Sequence, residues 1–146
     1  MDISIRIDAD CVSTEYETIL FVKSLIDCQF VERLQFIKST YKYARADFII
    51  LNTENIKSVI VECKTFKHVP NFLNKSKIDS LIKHYHEPFV VIKNNTVYYW
   101  LRVNAIDWKR LPIINEETEP AYDVSGCLSN DYDELGNQIL IRLMYP

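Results

Sequence analysis

Glycine is scarce in this chain, and its scarcity excludes whole classes of nucleotide-binding site. Only Gly126 and Gly136 occur among the 146 residues. Phosphate-binding loops and dinucleotide-binding turns need several closely spaced glycines, because the backbone has to approach the phosphates closely. We therefore predict that the protein uses no nucleotide cofactor.

Regularly spaced cysteines are also lacking. The four cysteines form neither a CxxC motif nor a Cys/His zinc pattern; they are Cys11, Cys28, Cys63 and Cys127. His84 and His86 are two residues apart in a predicted helix, so they point to different faces and do not favour a zinc site. Small buried thiols in a reducing compartment fit this pattern better than a disulfide framework. We expect an intracellular protein, in the cytoplasm or inside a host cell.

No hydrophobic run approaches the length of a membrane-spanning helix, and the acidic first ten residues do not resemble a signal peptide. Hydrophobic residues make up 48% of the chain and aromatic residues 12%, which is enough for a packed core. We predict one folded domain over residues 1–146, with no membrane partner.

The net charge of −3 conceals an uneven distribution of charge. Residues 30–110 carry 14 lysines and arginines against 7 acidic residues, whereas both flanking segments are acidic. A basic middle segment suits a polyanionic partner such as a nucleic acid.

The hydrophobic pattern predicts the order helix, strand, strand, strand, helix, strand, strand, which is typical of an α/β sandwich with a mixed central sheet. The expected elements are a strand at 2–8, a helix capped by Ser13 or Thr14 and reaching about Cys28, strands at 30–38, 45–51 and 58–66, a helix at 72–85, and strands at 89–92 and 97–103. For residues 30–38 a helix is the open alternative. After these we expect a helical turn at 106–111, an exposed acidic loop at 116–120 and a last strand at 138–144.

Charged residues occupy both ends of a predicted hairpin whose strands are otherwise apolar. Asp47 lies near the start of the first strand, and Glu62 and Lys64 lie near the end of the second. The turn at 52–55 brings these ends side by side, and Glu62 and Lys64 share one face of their strand because they are two residues apart. Two carboxylates and an amine in one place are costly unless something pairs them, and a divalent metal is a good candidate.

Asp47 followed by Glu62-Cys63-Lys64 on the next strand resembles the PD-(D/E)XK nuclease superfamily. The resemblance spans roughly residues 13–103 and leaves 104–146 as a C-terminal extension. Ala46 stands where the motif has proline. The resemblance implies a restriction-endonuclease-like αβββαβ core and a Mg²⁺- or Mn²⁺-dependent endonuclease that hydrolyses DNA.

The same resemblance implies a role for each site residue. Asp47 and Glu62 would bind the metal, the backbone carbonyl of Cys63 would be a further ligand, and Lys64 would assist the attacking water. Many members add a glutamate from the first helix, for which Glu17 is narrowly preferred over Glu15.

Several basic residues near the predicted site are candidate phosphate contacts. They are Lys42, Arg45, Lys67, Lys77 and Lys83. A chain this short has little beyond the core with which to read sequence, so we expect a structure-selective or weakly sequence-specific enzyme. The resemblance to small stand-alone members, which include Holliday-junction resolvases, implies a possible homodimer.

Two other functions remain open. The chain could be a catalytically inactive nuclease-fold module for binding or assembly, in which Asp47 caps a turn and Lys64 pairs with Glu62. It could also be an RNA-directed nuclease, although the metal-binding histidine of such enzymes precedes the aspartate and all three histidines here follow Asp47. Tyr98, Tyr99 and Trp100 could stack on bases, but core packing explains them more simply.

Overall fold

The computed structural model describes residues 9–38, 47–66, 72–116 and 119–145. The strand expected at 2–8 lies outside these residues. Within the described part, five strands form a mixed central sheet in the order β1-β2-β3-β5-β6, and β4, β8 and β7 form a small second sheet. Because helices cover the central sheet on both faces, the predicted α/β class with a mixed sheet is confirmed.

The predicted order of core elements is also found. The core consists of α1 (Ala9–Leu25), β1 (Leu34–Lys38), β2 (Phe48–Asn52), β3 (Ser58–Phe66), α3 (Lys75–His84), β5 (Pro88–Asn94) and β6 (Val97–Arg102). A short helix α2 (Cys28–Val31) precedes β1. The later elements are β7 (Ile113–Glu116), β8 (Glu119–Asp123) and α4 (Tyr132–Met144), while β4 (Phe72–Asn74) precedes α3.

Alternation along β3 divides the hydrophobic core into two layers. Val59 and Val61 belong to the layer that contains buried residues of α1 and α4. Ile60 belongs to the opposite layer, which contains Ile78 and Leu81 of α3. Since strand side chains alternate between faces, Glu62 and Lys64 share the α3 side with Ile60.

The pairing of β3 explains why its charged end lies deep in the fold. On one side β3 forms an antiparallel hairpin with β2. On the other side it pairs in parallel with β5, where Glu62 is opposite Val90 and Lys64 is opposite Ile92. The connection from β3 to β5 runs through α3, which covers this face of the sheet.

Two predicted boundaries in the N-terminal half were wrong. Ser13 and Thr14 are inside α1 rather than at its start, because no glycine or proline interrupts the helix between Ala9 and Thr14. The strand expected at 30–38 begins only at Leu34. Residues Cys28–Val31 are helical because the Asp27 side chain accepts a hydrogen bond from the backbone N–H of Gln29 and so caps the turn.

The helix expected at 72–85 begins three residues later than predicted. Asn74 caps it by accepting a hydrogen bond from the backbone N–H of Lys77 at 3.1 Å. Residues 72–74 instead form β4 and pair with β8, where Leu73 is opposite Tyr122. Asparagine is a strong helix-capping residue, so this boundary was visible in the sequence.

The C-terminal extension differs most from the prediction. Residues 138–144 belong to α4, because Leu135, Ile139 and Leu143 repeat every four residues and bury one helical face. Asp131 caps this helix by accepting from the backbone N–H of Glu134. Residues 113–116 and 119–123 form paired strands rather than an acidic loop, while the helical turn expected at 106–111 is found at Trp108–Arg110.

Gly136 explains how closely α4 approaches α1. A Cβ atom added at this position would lie 2.8 Å from the carbonyl oxygen of Leu25. Only a residue without a side chain allows the two backbones to come this near. Among the described residues, none of the helices is both long enough and apolar enough to cross a membrane.

Candidate active site

Asp47 lies immediately before β2 and is attached to the neighbouring strand β3 by two hydrogen bonds. Its backbone N–H donates to the carbonyl of Val61 at 3.0 Å. Its Oδ2 accepts from the backbone N–H of Cys63 at 2.6 Å. Antiparallel pairing in the hairpin brings the start of β2 beside the end of β3, so the structure places Asp47 against the Glu62–Lys64 segment.

Glu62 is a buried acid, and its environment favours the protonated form. Its side chain is 6% exposed. Burial, the hydrogen bond to Asp47 and the negative charge of Asp47 together raise the pKa of Glu62 from 4.5 to about 8. At neutral pH Glu62 therefore retains a proton that it shares with Asp47.

The pKa of Asp47 is shifted in the opposite direction from that of Glu62. Burial disfavours its charged form, but hydrogen bonds from Glu62, from Glu15 and from the backbone N–H of Cys63 outweigh burial and lower the pKa of Asp47. Asp47 is thus the ionised member of the pair. Two carboxyl groups in contact titrate as a unit, since both cannot be charged without a compensating cation.

The first helix contributes Glu15 to this site rather than the expected Glu17. Glu15 forms a side-chain hydrogen bond with Asp47. Glu17 forms an ion pair with Lys93 on β5. The two glutamates are on different sides of α1, because residues two apart in a helix do not share a face. The narrow preference for Glu17 as the metal ligand from the first helix stays a prediction, while the contact with Asp47 favours Glu15.

Lys77 of α3 reaches Glu62 from the helical layer above the sheet. Its Nζ lies 2.9 Å from Glu62 Oε2, and the lysine side chain is 28% exposed. Because Glu62 holds a proton at neutral pH, this is a contact between an ammonium group and a neutral carboxyl group, and Glu62 Oε2 has no well-aligned hydrogen bond among the described residues. The role of Lys77 as a phosphate contact stays a prediction, and the structure shows its contact with a buried acid of the site.

Lys64 is half-buried on the same face of β3 as Glu62. Within the described part of the chain it makes no ion pair, in contrast to Lys77. Its side chain leaves β3 on the side of the sheet that carries the Glu62 carboxyl group. Its role in activating water or binding phosphate stays a prediction.

Two strand-end lysines near the site had not been recognised in the sequence. Lys38 at the end of β1 lies 3.8 Å from Glu15, and Lys93 near the end of β5 pairs with Glu17. Both lie at or near the end of a strand of the central sheet, as Lys64 does, and this shared placement was the missed signal. The predicted phosphate contacts Lys42, Arg45 and Lys67 lie outside the described residues, and Lys83 is exposed in the last turn of α3.

The donor set fits a divalent cation only in part. Among the described residues, no three side chains of histidine, cysteine, aspartate or glutamate are grouped as metal ligands. Asp47 and Glu62 nevertheless share a proton, and a bound cation can replace such a proton when both acids act as ligands. Burial raises the pKa of the Cys63 thiol, so only the backbone carbonyl of Cys63 suits a hard cation.

One protein-family model matches most of the chain. Residues 10–115 match the family model described as the N terminus of the type I restriction enzyme R protein. The chain belongs to this family. The matched residues run from α1 to β7, so the candidate site residues from Glu15 to Lys77 lie within the family region. No curated protein matches the chain.

Among solved structures, the chain is similar to Hjc of Archaeoglobus fulgidus, a Holliday junction resolvase from an archaeal hyperthermophile. The TM-score is 0.57 at 14% sequence identity, and the match covers 86% of this chain and 93% of Hjc. At this identity the likeness establishes the fold. The resemblance to PD-(D/E)XK nucleases that the hairpin residues predicted is confirmed.

Proposed function

We propose that the protein is a metal-dependent endonuclease that hydrolyses DNA phosphodiester bonds. The observation that carries this proposal is the contact between Asp47 and Glu62, two carboxyl groups that share a proton, with Lys64 on the same face of β3 as Glu62. A structural ion pair needs one acid and one base, whereas two acids in contact are costly without a cation. The fold and the family also support a nuclease.

Each site residue has its own role in the proposed reaction. Asp47 and Glu62, with the carbonyl of Cys63, hold a Mg²⁺ or Mn²⁺ ion. When bound, this ion polarises the phosphate and makes water a better nucleophile. Lys64 orients the attacking water and stabilises the negative charge that builds up on the phosphate oxygens. Glu15, which bonds to Asp47, orients that carboxylate or completes the ligand set.

DNA is the proposed substrate because both comparisons name proteins of DNA metabolism. The family is described as part of a restriction enzyme, and Hjc is described as a Holliday junction resolvase. Lys38, Lys77 and Lys93 surround the carboxyl groups at one end of the sheet and can contact phosphates without reading bases. This favours structure-selective or weakly sequence-specific cleavage, and a homodimer would allow two cuts.

Cleavage of a nucleic-acid panel tests the proposal. Linear, supercoiled, flapped and four-way-junction DNA, together with RNA, would be incubated with Mg²⁺ or Mn²⁺. The wild type would be compared with Glu62→Ala and Lys64→Ala, and with Lys109→Ala as a matched control, since Lys109 is exposed and lies in the turn at Trp108–Arg110.

The expected result is metal-dependent DNA cleavage by the wild type and by Lys109→Ala. Loss of a metal-contacting or water-orienting residue costs roughly a hundredfold or more in rate, so both site variants should be nearly inactive. If the wild type cleaves RNA but none of the DNA substrates, RNA is the substrate instead of DNA. Wild-type protein that neither cuts any substrate nor binds Mn²⁺ would contradict the proposal and favour a binding module.

A further inference from the structure

Lys77 lies in α3 at a position where the helix dipole disfavours a positive charge. It lies in the first turn, where its backbone N–H donates to the capping side chain of Asn74. The positive end of the helix dipole repels a cation there, and this first turn contains no acidic residue. The ammonium group nevertheless leaves its helix and contacts the carboxyl group of Glu62 on the sheet.

The neighbouring lysine behaves differently. Lys75 is also in the first turn, but its ammonium lies 2.6 Å from Asp79 on the same helix. Lys77 instead crosses from the helix to the sheet and places Nζ 2.9 Å from a carboxyl oxygen that is buried. The Lys77 ammonium therefore contacts a residue that we propose as a metal ligand.

We propose that Lys77 is a positioning residue that occupies the Glu62 carboxyl group in the metal-free protein and is displaced from it by the divalent cation. This inference rests on the proposed function, because it takes Glu62 as a metal ligand. Lys77 is partly exposed at 28%, so its long side chain has solvent to move into. The contact keeps Glu62 in place without metal, and the positive charge of Lys77 raises the metal concentration that the site requires.

The double positive charge of the metal determines whether removing the Lys77 ammonium strengthens or weakens metal binding. A dication near the Lys77 ammonium is repelled about twice as strongly as a proton at the same distance, because the Coulomb energy is proportional to charge. Removing the ammonium therefore favours metal binding more than it favours protonation of Glu62. The metal should bind more tightly to a variant that lacks this positive charge.

Calorimetric titration with Mn²⁺ alone, without nucleic acid, tests the inference. The proteins are the wild type, Lys77→Met, Lys77→Gln and Lys77→Arg, with Lys83→Met as a control. Lys83 is on the same helix but exposed, and six residues separate it from Lys77, or roughly 9 Å along the helix axis. Circular dichroism would establish that each variant is folded. If one of the two neutral variants does not fold, the other still tests the inference.

The neutral variants are expected to bind Mn²⁺ about tenfold more tightly than the wild type. Lys77→Arg and Lys83→Met are expected to match the wild type within about twofold, because the first keeps the charge and the second does not touch the site. Equal or weaker binding by folded neutral variants would overturn the inference and leave the metal centre intact. If no protein binds Mn²⁺, the metal centre itself is refuted, and this inference is refuted with it.

Discussion

The contact between Asp47 and Glu62 makes the stability of the metal-free protein depend on pH. Folding raises the pKa of Glu62 from 4.5 to about 8, so the folded protein binds this proton more tightly than the unfolded chain does. The corresponding stability is fully present below the unfolded pKa and is lost as the pH rises toward the folded pKa. We therefore expect the free energy of unfolding to fall between about pH 5 and about pH 9.

The size of the loss in unfolding free energy follows from the size of the pKa shift of Glu62. At about 1.4 kcal/mol per pKa unit, a change from 4.5 to about 8 corresponds to roughly 5 kcal/mol as an upper bound. Asp47 titrates together with Glu62, and its lowered pKa contributes stability that is lost only as the pH falls. A measured loss of roughly 2–5 kcal/mol over this range would fit the structure.

Glu62→Gln removes the titrating group while keeping a hydrogen-bond donor for Asp47. This variant should show almost no pH dependence in the same range and should be more stable than the wild type at the alkaline end. Urea denaturation with a chelator present measures both effects. Glu32→Gln is the matched control, because Glu32 is exposed in the turn before β1. Parallel pH profiles for the wild type and Glu62→Gln would refute the reasoning.

Two further predictions concern the helices that flank the site. Glu15→Gln should weaken Mn²⁺ binding in calorimetry more than Glu17→Gln, because Glu15 hydrogen-bonds to Asp47 whereas Glu17 pairs with Lys93; equal effects would contradict this placement. Gly136→Ala should lower the free energy of unfolding by about 1–3 kcal/mol in urea, because the new methyl group meets Leu25 at 2.8 Å. Gly126→Ala, which has no atom within 4 Å of the added carbon, should change it by less than about 0.5 kcal/mol.

The core order was predictable because each core element carries its own local pattern. The β2–β3 hairpin has two apolar runs around a turn of Asn52-Thr53-Glu54-Asn55, and β5 is a short apolar run that begins after the α3 helix. The α4 helix was missed because its apolar residues were read as alternating. The cap at Asp131 and the spacing of Leu135, Ile139 and Leu143 would have identified it.

The second sheet could not be predicted in the same way. β4 has three residues, and it is a strand because it pairs with β8, which lies more than forty residues further along the chain. A segment this short carries no periodic signal of its own, so its conformation depends on its partner. The same reason explains why 116–120 looked like a loop: acidic residues and a proline there disfavour a strand, and pairing with neighbouring residues overrides that preference.

For the site, the sequence by itself determined the hairpin residues Asp47, Glu62 and Lys64, because one turn joins the two strands that carry them. Their role as metal ligands and general base stays a prediction. Only the tertiary structure decided that Glu15 rather than Glu17 meets Asp47, and that Lys77 pairs with Glu62. These contacts depend on how α1 and α3 are rotated against the sheet, which is set by the packing of two separate hydrophobic layers and not by any local pattern.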